Sequence, residues 1–226
     1  MKKPEAIIFD MDGLLIDSEP LWFEAEKKVL HKVGINLDER MILQTRGLRI
    51  DEVVDYWHKK NQWESPSKDE IVNDILYTII CLVEERGKFL PGAMDTIELA
   101  HNISKKVCLA SSSHIALIQA VLKKFNLNNF DCVHSAESEL KGKPDPAVYL
   151  TTCKRINVDP KNCLAFEDSV FGLMAAKSAG MYCIAVPAFE EKNDVRFKEA
   201  DLILNSLEEV NKNMILNMFN KDVCVE

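Results

Sequence analysis

Asp10 and Asp12 stand two residues apart in Phe9-Asp10-Met11-Asp12-Gly13, just past a short apolar run. Residues i and i+2 of an extended segment project to the same side, so both carboxylates can address one site. One can attack an electrophile such as phosphorus while the other moves protons, and Gly13 permits the sharp turn that follows. A D-x-D in an ordinary acidic loop is the competing reading.

Three later segments add to this pair. Ser111-Ser112-Ser113 follows a second apolar run, and a hydroxyl with successive backbone N–H groups at a helix start makes an anion site. A plain serine N-cap on a helix starting near His114 explains it equally well. Gly142-Lys143-Pro144-Asp145-Pro146 sets one lysine in a proline-stiffened turn. There a point cation can neutralise a nucleophile and phosphoryl oxygens, or simply lie in solvent. Glu167-Asp168 ends another run in adjacent acids. Clustered with Asp10 they form a hard, oxygen-only set suited to Mg²⁺, whereas Asp168 alone is also a good helix cap. Each signal is modest alone. Their weight comes from the ordered set of four among β-leaning runs in one chain.

Those runs are Ala6–Met11, Lys106–Ala110, Asn162–Phe166, Tyr182–Val186 and Asp201–Leu204, with helical spacing clearest over His114–Phe125 and Val170–Ala179. Strands alternating with helices predict βαβ units and a parallel sheet covered on both faces. Ligands bind such sheets at the carboxyl ends of the strands, where Asp10, Asp12, Ser111, Glu167 and Asp168 all fall. Residues 18–88 differ. Leu21–Val33, Ile50–Trp63 and Lys68–Arg86 read as helices with no convincing strand among them. The expected organisation is an α/β, Rossmann-like core of residues 1–17 and 89–226, with an all-α insertion over 18–88. Its hinges fall near Asp17–Ser18 and Phe89–Gly92. No internal repeat or low-complexity segment appears, and the tail after Asn211 carries little signal.

The 226 residues suffice for a sizeable core, and 47% hydrophobic with 28% charged residues is the balance of a globular protein. A formal net charge of −8 repels nucleic acid and anionic lipid, so neither is an expected partner. Seven scattered cysteines, with no C-x-x-C pair, read as free thiols in a reducing compartment. The apolar run after Lys2-Lys3 is too short for a signal peptide, and no stretch reaches transmembrane length; a cytoplasmic monomer is expected.

The segments Asp10-Met11-Asp12-Gly13, Ala110-Ser111-Ser112-Ser113, Gly142-Lys143-Pro144-Asp145-Pro146 and Glu167-Asp168-Ser169-Val170-Phe171-Gly172 resemble, in order, those of the haloacid dehalogenase superfamily of phosphatases. The likeness runs over nearly the whole chain, and residues 18–88 resemble the family's helical cap domain. It implies Asp10 as nucleophile, Asp12 as general acid/base, and Ser111, Ser112 and Lys143 as holders of the phosphoryl group. It further implies Mg²⁺ bound by Asp10, the backbone carbonyl of Asp12, Asp168 and Glu167. Thr45–Asp51, Leu82–Glu85, Val186–Ala188 and Asn193–Phe197 are similar to bacterial phosphatases of the 2-deoxyglucose-6-phosphate and hexitol-phosphate type. The likeness implies a small phosphate ester as substrate, with Arg49 as the cap contact to it and Trp22 and Glu19 on the cap helix facing the site. Trp22 suits stacking on a sugar ring or the core of the cap; His114 is expected to be a surface residue. A sugar phosphomutase of the same fold, of the β-phosphoglucomutase type, is the alternative. Such enzymes carry a histidine where this chain has Trp22, which favours hydrolysis. The intact acids and Lys143 weigh against a non-enzymatic binding module, and Asp12 with Gly13 weighs against a dehalogenase.

Overall fold

The computed structural model describes residues 3–189 and 191–220. In chain order its elements are β1 (Ala6–Phe9), α1 (Glu19–Leu30), α2 (Glu39–Ile42), α3 (Ile50–Asn61), α4 (Lys68–Arg86), α5 (Ala93–Ile103), β2 (Lys106–Ser111) and α6 (Ile115–Lys124). Then follow β3 (Cys132–Ser135), α7 (Ala147–Ile156), β4 (Cys163–Glu167), α8 (Val170–Ser178), β5 (Tyr182–Ala185), β6 (Leu202–Ile203) and α9 (Lys212–Asn220). The strands form one sheet in the order β3-β2-β1-β4-β5-β6, and every neighbouring pair is parallel. The order reverses at β1. A crevice therefore opens at the carboxyl ends of β1 and β4, the usual place for a ligand in such sheets.

All four residues of β1 are fully buried, and alternate ones face different cores. Ile7 and Phe9 join Val107, Leu109, Leu164, Phe166 and Ile184 on one face. Ala6 and Ile8 join Cys108, Ala110, Cys163, Ala165 and Cys183 on the other. A strand covered on both faces must be apolar throughout, hence the unbroken runs in the sequence. The second face is lined by small residues, and its cysteines act as small apolar fillers against α7 and α8. The cysteines of the described residues are free, as expected; Cys224 lies outside them.

No residue from 18 to 88 lies in a strand, and α1–α4 occupy this span. α4 opens with a reciprocal cap: Glu70 N–H donates to Ser67 Oγ (3.3 Å), and Ser67 N–H donates to Glu70 Oε2 (2.8 Å). The entering and leaving chains run side by side. Ile16 bridges Phe89, Asp17 N–H donates to Lys88 O (2.9 Å) and Leu90 N–H donates to Leu15 O (2.9 Å). Both expected hinges are thus the two halves of one paired neck.

Two elements had little or no forecast in the sequence. β3 is a half-polar edge strand, Cys-Val-His-Ser, too short and mixed to read as an apolar run. α9 buries Ile215, Leu216, Met218 and Phe219, with the Phe219 ring 4.4 Å from that of Tyr182.

Phe9 and Phe166 stack at 5.1 Å with rings 9° apart and join β1 to β4 directly below the crevice. Phe9→Ala is expected to lower unfolding free energy by about 3–5 kcal/mol, as large-to-small changes at fully buried aromatics do. Urea unfolding monitored by circular dichroism measures it.

Candidate active site

β1 hands the chain directly to the site. Asp10 N–H donates to Phe166 O (3.0 Å), which continues the ladder one step past β1 and brings Asp10 beside the end of β4. Glu167, the last residue of β4, is fully buried there. Two acids on adjacent strands need a cation between them, and Lys143 supplies it. Its Nζ lies 2.5 Å from Asp10 Oδ1, 2.6 Å from Glu167 Oε1 and 3.4 Å from Ala110 O. The Tyr149 hydroxyl, from α7, donates to the same Glu167 oxygen. Lys143 is therefore a buried residue of the site and not a solvated loop lysine.

One ammonium does not balance this much acid. Burial pushes the Asp10 carboxyl up to about 8, against the pull of Lys143 and with Glu167 and Asp12 adding to the rise. Lys143 is held well above its ordinary value, because the attraction of Asp10 and Glu167 overcomes its own burial. Burial, with the neighbouring carboxylates, thus leaves the acid high, and those same carboxylates leave the base high. Asp168 is likewise raised by burial, Arg46 opposing.

Asp12 points elsewhere. Its Oδ1 accepts from the Trp22 indole N–H (2.9 Å) and its Oδ2 from the Ser113 hydroxyl (2.6 Å). Carboxylate oxygens of Asp10, Glu167 and Asp168 all lie within 4.8 Å of one another, a group with the spacing to hold one metal ion. The donors are all hard oxygens and carry surplus negative charge, which fits a divalent cation such as Mg²⁺. Asp12's carboxylate is not in this group, so its expected share in the metal site is restricted to its backbone carbonyl.

Two glycines make room. Gly13 has φ +70, and a Cβ on it would stand 2.3 Å from Asp168 Oδ2. A Cβ on Gly172 would stand 2.0 Å from the Glu167 carboxylate.

The competing capping readings fail here. Ser169, not Asp168, caps α8 by accepting from Gly172 N–H (3.1 Å). His114, not a serine, caps α6: its Nδ1 accepts from Ala116 N–H (3.2 Å) while Nε2 stands 2.7 Å from Glu137 Oε1. Ser111 closes β2 at the pocket wall, its Oγ accepting from Ser113 N–H (3.0 Å). Ser112 lines the pocket too, and its hydroxyl donates to Gly47 O (3.0 Å).

Arg49 is the expectation that the geometry redirects. Its guanidinium donates to Ala136 O (3.0 Å) and Glu139 O (2.7 Å) and pairs with Asp51 (2.7 Å), and Arg49 does not line the pocket. It ties the helical block to the sheet. Arg46 takes the pocket position instead, pairing with Asp168 (3.1 Å), Glu19 (3.3 Å) and Glu191 (3.4 Å). Gly47, at φ +80, reverses the chain between the two arginines, so Arg-Gly-Leu-Arg alone does not say which one turns inward.

Glu26, like Arg46, is a pocket residue that the sequence did not mark out. Glu19, Trp22 and Glu26 stand at i, i+3 and i+7 on α1 and all line the pocket. That spacing was the available signal, hidden because acids on a helix usually mark its solvent face.

A family model described as haloacid dehalogenase-like hydrolase matches residues 7–186. Among curated relatives, hexitol phosphatase B of Escherichia coli K12 is 46% identical over 91% of this chain and 93% of its own length. The β-phosphoglucomutase of Bacillus subtilis is 29% identical over 80% of this chain and 83% of its own. The crystal structure of CbbY from Rhodobacter sphaeroides in complex with phosphate superposes with a TM-score of 0.86 at 25% identity, covering 95% of this chain and 99% of that one.

Burial, with Glu19's charge adding, pushes the Glu26 carboxyl from 4.5 up to about 8. Between those values the unfolded chain binds fewer protons at this group than the folded one, so its contribution to stability falls as pH rises. Glu26→Gln removes that dependence. Urea unfolding across pH should show the variant gaining on the parent from about pH 5 to about pH 8 and levelling off above. A difference that stays flat over that range refutes the assignment.

Proposed function

The chain belongs to the haloacid dehalogenase-like hydrolase family, and from that premise we propose that it is a Mg²⁺-dependent phosphatase of small phosphorylated sugars or sugar alcohols. Hexitol phosphates and 2-deoxyglucose-6-phosphate are the favoured substrates, the former because of the 46% identity to a hexitol phosphatase. The observation that carries the chemistry is Lys143 Nζ held 2.5 Å from Asp10 Oδ1 in a buried acid cluster.

In this reading Asp10 attacks phosphorus. An Oδ–P bond forms, the bond from phosphorus to the sugar oxygen breaks, and Asp12 gives that oxygen its proton. Asp12 then takes a proton from the water that attacks the aspartyl phosphate, which frees Asp10 and inorganic phosphate. The Trp22 indole can only donate, so it holds Asp12 Oδ1 as an acceptor. The Ser113 hydroxyl can rotate to donate or accept, so the travelling proton belongs on Oδ2. Lys143 screens the meeting of two anions and, with Ser111 and the Ser112 backbone N–H, holds the phosphoryl oxygens. Asp10, Asp168, Glu167 and the Asp12 carbonyl would hold Mg²⁺, which neutralises charge on the transferring group.

Residues 18–88 serve as a cap that excludes water and contacts the leaving group, and residues 1–17 with 89–226 are the catalytic core. Arg46 replaces Arg49 as the cap cation at the site. Among the described residues no helix is long and apolar enough to cross a membrane. A monomer in the cytoplasm acting on a small phosphate ester, without nucleic acid or membrane partners, completes the reading.

The test is phosphate release from hexitol 6-phosphates, 2-deoxyglucose-6-phosphate, β-glucose-1-phosphate and nucleotides, with Mg²⁺ and with EDTA. Release is expected to favour the hexose and hexitol esters, to stop in EDTA, and to fall by several orders of magnitude in Asp10→Asn. Near-normal turnover by Asp10→Asn overturns the mechanism. Isomerisation of β-glucose-1-phosphate that needs a bisphosphate activator and frees no phosphate establishes the mutase instead.

A further inference from the structure

α1 offers three polar side chains to the pocket, and two of them are occupied. Glu19 pairs with Arg46 and Trp22 donates to Asp12. Glu26 is different. It is 5% exposed, lines the pocket, and its Oε2 has no hydrogen-bond partner. Ile42, Leu48, Ile50 and Val53, which also line the pocket, are apolar and offer no polar side-chain atom. A buried carboxyl oxygen without a partner carries a desolvation cost, and such a group in a folded protein calls for what completes it.

The pocket's own cations do not do so, because Lys143 is taken by Asp10 and Glu167 and Arg46 by Glu19, Asp168 and Glu191. Glu26 follows Trp22 by one turn, about 6 Å further along the helix axis. Trp22 touches Asp12, the group assigned to protonate the leaving oxygen. A leaving group that runs from Asp12 along α1 would bring carbons remote from the ester level with Glu26. Burial keeps its carboxyl protonated at neutral pH, and a neutral carboxyl both donates and accepts, as a hydroxyl does.

We infer that Glu26 is a specificity-determining residue that hydrogen-bonds a hydroxyl on the remote part of the leaving group. The inference rests on the sugar-phosphate reading above and deepens it: the preferred leaving group is a polyol long enough to reach one helical turn past Asp12.

The test compares kcat/KM for sorbitol 6-phosphate with that for phenyl phosphate, whose leaving group carries no further hydroxyl, using the Mg²⁺-loaded full chain. In Glu26→Leu the ratio of the two values is expected to fall by about ten- to a hundredfold, and Glu26→Gln, which keeps a donor and an acceptor, to retain more of it. Glu26→Met, flexible and of similar size, serves if the leucine does not pack. A ratio that keeps its parent value in the leucine and methionine variants overturns the role of Glu26 and leaves the phosphatase reading standing. A parent enzyme that cleaves phenyl phosphate but no polyol phosphate overturns the sugar-phosphate reading, and this inference with it.

Discussion

The contact of Lys143 with Asp10 and Glu167 is the constraint around which the head of the sheet is built. Adjacent parallel strands lie less than 5 Å apart, so an acid at the end of β1 and one at the end of β4 are forced together. Buried like charges at that spacing are untenable without a cation between them. Lys143 therefore has to enter from the loop between β3 and α7. Tyr149 braces Glu167 from the first turn of α7, and Gly172 leaves Glu167 its space at the start of α8. A side chain larger than hydrogen at residue 172 would displace Glu167 and with it the lysine.

The lysine is necessary and still insufficient, which explains the second cation. Arg46 reaches Asp168 from the helical block, while Ser112 reaches out from β2's loop to Gly47. Glu52 accepts from Gly142 N–H (3.0 Å), next to Lys143, and Arg49 holds the Ala136 and Glu139 carbonyls. The contacts of the helical block thus fall on the loops that carry the acids and Lys143. Withdrawing the block removes a positive charge from Asp168, so the position of the helices and the charge balance of the site are coupled through one guanidinium.

How much of this was legible in the sequence follows from what kind of residue carried the signal. Strands buried on both faces write themselves as unbroken apolar runs, so β1, β2, β4 and β5 could be placed within a residue or two, and the acids and serines after them followed. β3 was not legible because an edge strand with His134 and Ser135 need not be apolar. The capping alternatives for Asp168 and the serines were resolved by details that spacing does not contain: Ser169 and His114 cap the two helices. Arg46 turns into the pocket and Arg49 away from it, with a positive-φ glycine between them that spacing does not reveal.

Glu26 stayed hidden for a different reason. The chemistry sits on loops after strands, where an isolated acid or lysine stands out against an apolar run. The pocket residues of α1, Glu19, Trp22 and Glu26, occupy positions that an amphipathic helix fills anyway. Burial of Glu26 is a property of how α1 packs, whereas Glu24 on the same helix pairs with Arg86 at the surface. On the proposed reading, a fold of this kind can keep its reaction while changing its substrate through single residues on one helical face. Such changes leave the strand-end motifs, and the buried lysine that organises them, untouched.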